Sequence, residues 1–143
     1  MLYDPEIWWK QYKFFLLTIA LQYPIKPNQT IKKKFYDFLQ NLPIFIPNLS
    51  ISNHILELLD KYPPSPYLDS RTSFLQWIHF FISKIEKLLQ IPLLSYYETF
   101  QEYYKNYEPK ELKMKNIVYG RKKYMLGIIF ILFIIFIYYL IKT

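Results

Sequence analysis

Apolar stripes at helical spacing, cut apart by prolines, constrain this chain more than any other feature. The strongest runs from Ser70 to about Gln90. Phe74, Trp77, Ile78, Phe81, Ile82, Ile85, Leu88 and Leu89 keep to one helix face there. Before it, the pattern predicts a helix from about Glu6 to Tyr23, with Asp4 as its cap and Pro5 at the first helical position. A second is expected from Thr30 to about Gln40, facing inward with Ile31, Phe35, Phe38 and Leu39. A third should follow Ser50 as cap and end near Tyr62, burying Ile51, Ile55, Leu58 and Leu59. Ser95 and Glu98 spell a capping box opening a short fifth helix with Phe100, Tyr103, Tyr104 and Tyr107. Leu42–Pro47 and Pro63–Pro66 are too rich in proline to continue a helix. No strand alternation or internal repeat is present. The expected class is therefore all-α, a four-helix bundle plus a short fifth helix.

The end of the chain reads differently. Tyr124 to Ile141 is an almost unbroken apolar run with no charge and no proline. Roughly eighteen residues at about 1.5 Å each could cross a hydrocarbon core as a helix. The expectation is a single C-terminal transmembrane helix over 124–141, preceded by a basic juxtamembrane linker over 109–123 and a helical domain over 1–108. Arg121, Lys122 and Lys123 abut the run, with Lys110, Lys113 and Lys115 just upstream. The positive-inside bias then puts the N-terminal domain in the cytoplasm, as a tail anchor in membrane lipid. Met1–Glu6 does not resemble a signal peptide. An ordinary anchor of this kind suits the endoplasmic reticulum or a membrane derived from it.

Composition narrows the chemistry. The chain has no cysteine, so it offers no disulfide, thiolate metal site or thiol nucleophile. Its 2 glycines rule out a phosphate-cradling loop, and its 15 tyrosines and 12 phenylalanines promise an aromatic core. The net charge of +7 comes largely from the stretch before the apolar run, which reads as attracted to anionic lipid. No nucleic-acid-binding signature accompanies it, so no nucleic acid is expected as partner. The 2 histidines, His54 and His79, lack convergent carboxylates and read as one surface and one packed residue, with no metal site. Asp69 with Arg71, and Glu57 with Lys61, read as local surface pairs.

The spacing of the aromatics carries a resemblance. Trp8, then Phe15-Leu16-Leu17-Thr18-Ile19-Ala20 and Tyr23-Pro24, then Tyr36 through Leu42-Pro43, then Tyr67-Leu68-Asp69-Ser70-Arg71 and Phe74-x-x-Trp77 together resemble the Erv/ALR family. These are FAD-linked sulfhydryl oxidases, and the likeness is greatest to versions carried by large DNA viruses. It spans about residues 4–107 and implies the same helical fold. It also implies where function should sit. The family's Leu-Pro-Cys-x-x-Cys stretch falls on Leu42-Pro43, which places Ile44 and Pro47 in the two cysteine positions. Its Trp-Gly-x-x-x-Trp-x-x-x-His motif falls on Trp8, Trp9, Lys13 and Leu17. After Trp77, its His-Asn-x-Val-Asn falls on Ile82, Ser83, Lys84, Ile85 and Glu86. Only Trp8 and Trp77 survive of the flavin-groove positions, and both also read as core residues.

The resemblance thus implies a fold without its chemistry. The expected function is a membrane-anchored, catalytically inactive relative serving as an interaction or assembly module, in a virion membrane if the viral likeness holds. No catalytic residue and no bound cofactor are expected. FAD enters only through the resemblance. Family members pair through their first two helices, which implies a homodimer, or a heterodimer with an active Erv/ALR-type oxidase. The competing function is FAD-linked thiol oxidation by descent, forming disulfides with the help of a partner. A third is a lipid-binding role carried by Lys110 to Lys123.

Overall fold

The computed structural model describes residues 3–142, without the side chains of 110–117, 120, 136 and 139–142. Among the described residues six α-helices follow one another: α1 (Pro5–Gln22), α2 (Gln29–Asn41), α3 (Leu49–Lys61), α4 (Arg71–Leu88), α5 (Tyr96–Lys105) and α6 (Lys110–Lys142). Two short 3-10 turns, Leu42–Phe45 and Ser65–Tyr67, occupy the proline-rich connections. The chain divides into a unit ending at Tyr103 and another beginning at Tyr104.

Side chains cap each early helix, satisfying backbone N–H groups that would otherwise lack acceptors. Asp4 accepts from the Glu6 amide at 2.9 Å, and Asn28 from the Ile31 amide at 2.9 Å. At α3 the cap is Asn48, which accepts from the Ile51 amide at 3.2 Å, and not Ser50. The extended backbone of Asn48 starts the helix early, so Ser50 falls inside the first turn. Ser70 caps α4, and Ser95 and Glu98 form the expected box, with Glu98 accepting from the Ser95 amide at 2.9 Å. The two Ser95 bonds, side chain first and backbone second, hold the Glu98 carboxyl below its usual range.

The core of the first unit is an aromatic column set between α1 and α4. Tyr23 lies 4.6 Å from Phe35 and 4.7 Å from Phe74, ring centre to ring centre. Trp77 continues the column, stacking on Phe81 at 5.0 Å. Each such pair is worth roughly 0.5–1.5 kcal/mol beyond the area it buries. The Tyr23 hydroxyl, wholly buried, donates to the Leu68 carbonyl at 2.7 Å. Ile51, Ile55, Leu58 and Leu59 all face inward as the α3 stripe requires. On α4 the stripe holds through Ile85, but Leu88 is exposed, because the helix ends there.

The membrane-spanning expectation is corrected. Among the described residues, no helix is long and apolar enough to cross a membrane. The helix that carries the apolar run opens in the basic stretch Lys110–Lys123. Phe136 and residues 139–141 of the expected span lie outside the described side chains. The single-pass placement with a cytoplasmic domain in an endoplasmic-reticulum-derived or virion membrane falls with the helix, and so does the lipid anchor.

Candidate functional site

The positions to which the resemblance assigns flavin contacts meet between α1 and α4. Trp9, Leu17 and Ile82 are buried there almost completely, as ordinary core. Trp8 stands edge-on to Trp9 at 6.1 Å and to Tyr12 at 5.3 Å. The indole N–H groups of Trp8 and Trp9 are buried and find no acceptor among the described residues. Each such orphan costs about 1–3 kcal/mol.

Beside them sits an ion pair inside the bundle. Lys13 Nζ lies 2.8 Å from Glu86 Oε1 and 3.0 Å from Glu102 Oε2. The Lys13 and Glu86 side chains are 13% and 3% exposed, whereas Glu102 reaches solvent. Burial by itself would lower the Lys13 pKa. Hydrogen bonds and charges from Glu86 and Glu102 outweigh it and hold the ammonium above its usual range. Nearby, the Thr18 hydroxyl is 3.0 Å from that of Tyr103, and Phe14 stacks on the Tyr103 ring at 5.1 Å. α5 therefore closes this edge of the bundle with both a charge and a ring.

Tested against a flavin dinucleotide, these residues do not fit. The orphaned indoles are donors, but the contacts that should meet polar ring edges are Leu17 and Ile82, both carbon and both packed. Trp9 fills the space a glycine would leave. Glu86 would set a carboxylate toward a diphosphate, and its charge is already matched by Lys13.

The dithiol positions lie elsewhere. Ile44 is 75% exposed on the 3-10 turn after α2, and Pro47 is exposed just beyond it. The turn is fixed by its carbonyls: Tyr12 donates to Phe45 at 2.6 Å, and Ser52 to Pro43 at 2.7 Å. Neither Ile44 nor Pro47 has an atom that could attack or leave in thiol exchange. Trp77 is core, donating its indole N–H to the Tyr62 carbonyl at 3.2 Å.

His54 is solvent-facing and 3.9 Å from Glu57. His79 is half-buried, with Nε2 3.2 Å from the Leu94 carbonyl and its ring edge-on to Tyr96. No group of metal-binding side chains exists among the described residues. The surface pairs differ from expectation. Asp69 pairs with Lys32 at 2.5 Å, because Arg71 instead donates to the Tyr23 carbonyl. Glu57 takes His54 in place of Lys61.

Sequence reasoning missed the Lys13–Glu86 pair. The signal was there: Glu86 follows Ile78 and Ile82 on the inward stripe of α4, and Lys13 stands one turn from both Trp9 and Leu17 on α1. Two opposite charges on core faces of helices that pack together imply each other.

No protein-family model matches the chain, and no curated protein does. Solved structures are more informative. The yeast Erv1 core superposes with a TM-score of 0.62 at 19% identity, covering 74% of this chain and 85% of that one. The bundle has the Erv fold. The FAD-binding domain of Erv1 from Saccharomyces cerevisiae gives a TM-score of 0.63 at 19% identity, covering 71% of this chain and 94% of its own. At that identity the likeness speaks for architecture alone.

Proposed function

We propose that this chain is a catalytically silent bundle of the Erv type that holds protein partners and does not oxidise thiols. The observation that carries the reading is the absence of cysteine from all 143 residues. Thiol oxidation begins with a thiolate attacking a disulfide, and none can form here. The packed state of Trp9, Leu17 and Ile82 and the ion pair at Lys13 support the same reading from the cofactor side.

The partner follows from the family likeness: a second copy of this chain, or an active oxidase bearing the dithiol, meeting it through α1 and α2. Phe15 supports that choice. It is 49% exposed on α1 and packs edge-on against the half-buried Phe38 of α2 at 6.0 Å, an apolar spot on the face in question.

The experiment has two limbs on the purified full-length chain. Incubated in air with dithiothreitol, it should be colourless and consume no oxygen. A flavin absorption band with oxygen uptake would instead establish the competing function, thiol oxidation with a redox partner. In sedimentation velocity it should run as a dimer, alone or with a dithiol-bearing relative. Phe15→Asp should dissociate that dimer while leaving the helical circular dichroism unchanged. A Phe15→Asp protein that pairs as well as the parent would refute the assigned face.

A further inference from the structure

A cleft of about 430 Å³ opens where the end of α3 and the Ser65–Tyr67 turn meet α4. Its volume is within the range of pockets that hold small ligands. Tyr62, Tyr67 and Phe80 wall it, and Trp77 forms its almost fully buried floor. Tyr62 and Phe80 meet edge to face at 5.0 Å. Pro63 and Pro66 stiffen the wall opposite α4, so the shape is preformed and little ordering is lost on binding.

Two cations overhang these rings. Lys61 Nζ lies 5.6 Å from the centre of the Tyr62 ring. Lys84 Nζ lies 5.9 Å from the same ring and 5.1 Å from Phe80. Among the described residues neither lysine forms an ion pair. Lys61 is on the lining of the cleft and Lys84 stands beside it, so the Tyr62 edge is positive and its ring attracts the ammonium groups only weakly. An anion at that edge would lie in the field of both charges. The Gln76 amide, also on the lining, adds one donor and one acceptor.

On its lining, the cleft shares only the buried Trp77 with the positions to which the family likeness assigns a flavin. Gln76, Phe80 and Lys84 recur every fourth residue on α4, as do Ile78, Ile82 and Glu86. The two series are offset by two residues, about 200° around the helix, and so look in opposite directions.

We propose that this cleft binds a small free organic anion, its flat apolar body lying against Tyr62, Phe80 and Trp77 and its acidic group at the Tyr62 edge, facing Lys61 and Lys84. The aromatic walls supply affinity for any planar ring, and the lysines select the negative one. The inference does not depend on whether the bundle pairs or is catalytically silent.

The test uses the full-length chain labelled with nitrogen-15. Its 3 tryptophans give one indole N–H resonance each, assigned by Trp→Phe variants, and Trp77 alone lines the cleft. The probes are 2-naphthoate and the uncharged 2-naphthalenemethanol, which share a ring. Naphthoate should shift the Trp77 resonance, leave those of Trp8 and Trp9 in place, and bind about tenfold more tightly than the alcohol. The double variant Lys61→Gln, Lys84→Gln should abolish that preference while still binding the alcohol. Equal affinity for the two probes in the parent protein, movement of all three indoles together, or a preference that survives the double variant would overturn the proposal.

Discussion

Lys13 and Glu86 occupy places that two packed helices ordinarily give to carbon. Each is tolerable only because of the other: an ion taken out of water loses several kcal/mol of solvation, returned here by a 2.8 Å contact. Lys13→Met should therefore be far worse than its apolar character suggests, because it strands the Glu86 carboxylate inside the bundle. We expect a loss of about 3–5 kcal/mol in urea unfolding followed by far-UV circular dichroism. Adding Glu86→Leu should restore stability to the parent level or above, since an apolar pair of similar volume avoids desolvation altogether. A single variant that unfolds within about 1 kcal/mol of the parent would mean that solvent reaches the Glu86 carboxylate, and the account of a buried charge would be wrong. Both charges were visible in the sequence, one on each inward stripe. Their pairing was not, because a contact between distant helices leaves no trace in either one's periodicity.

Where α4 stops is a local matter, and here chemistry and geometry disagree. Gln90 has φ 59°, the left-handed region that suits glycine. The Ile91 amide donates to the Glu86 carbonyl at 2.9 Å and the Gln90 amide to Lys87 at 3.3 Å, the two bonds of a Schellman ending. With no glycine to mark the end, the stripe through Leu89 extends the expected helix to Gln90, whereas Leu88 is its last residue. Gln90→Gly should relieve the left-handed strain and stabilise the protein by roughly 0.5–1 kcal/mol, read as a raised thermal midpoint. No gain would imply that the glutamine side chain contributes as much as the backbone loses. Elsewhere the ends were legible wherever one side chain had no rival: Asp4 and the Ser95–Glu98 box cap as expected. Asn48 and Ser50 were rivals two residues apart, and only the extended backbone after Pro47 decided between them.

At the level of the molecule, the helix order and the aromatic core could be read from spacing, since stripes that long have few ways to be buried. The candidate site was legible only as a set of substitutions; how they pack together required coordinates. Two alkaline-titrating groups lie on α1, one at its middle and one at its C-cap, and that has a consequence for the whole fold. Lys13 joins α1 to α4, and Tyr23 joins it through Leu68 to the connection before α4. Burial, helped by the charge of Asp69, pushes the Tyr23 phenol above its usual range, and Lys13 is raised as well. Both groups therefore hold protons more tightly folded than unfolded, where they titrate near about pH 10. The stability they contribute is fully present below that pH and is lost as pH rises through their higher folded values. Thermal midpoints should stay level from about pH 7 to about pH 9 and fall steeply above about pH 10. The double variant Lys13→Met, Glu86→Leu should fall less steeply over the same interval, having lost one of the two linked protons. A decline that begins in the neutral range, or an unchanged alkaline slope in the double variant, would place the titration elsewhere and detach Lys13 from the cohesion of the bundle.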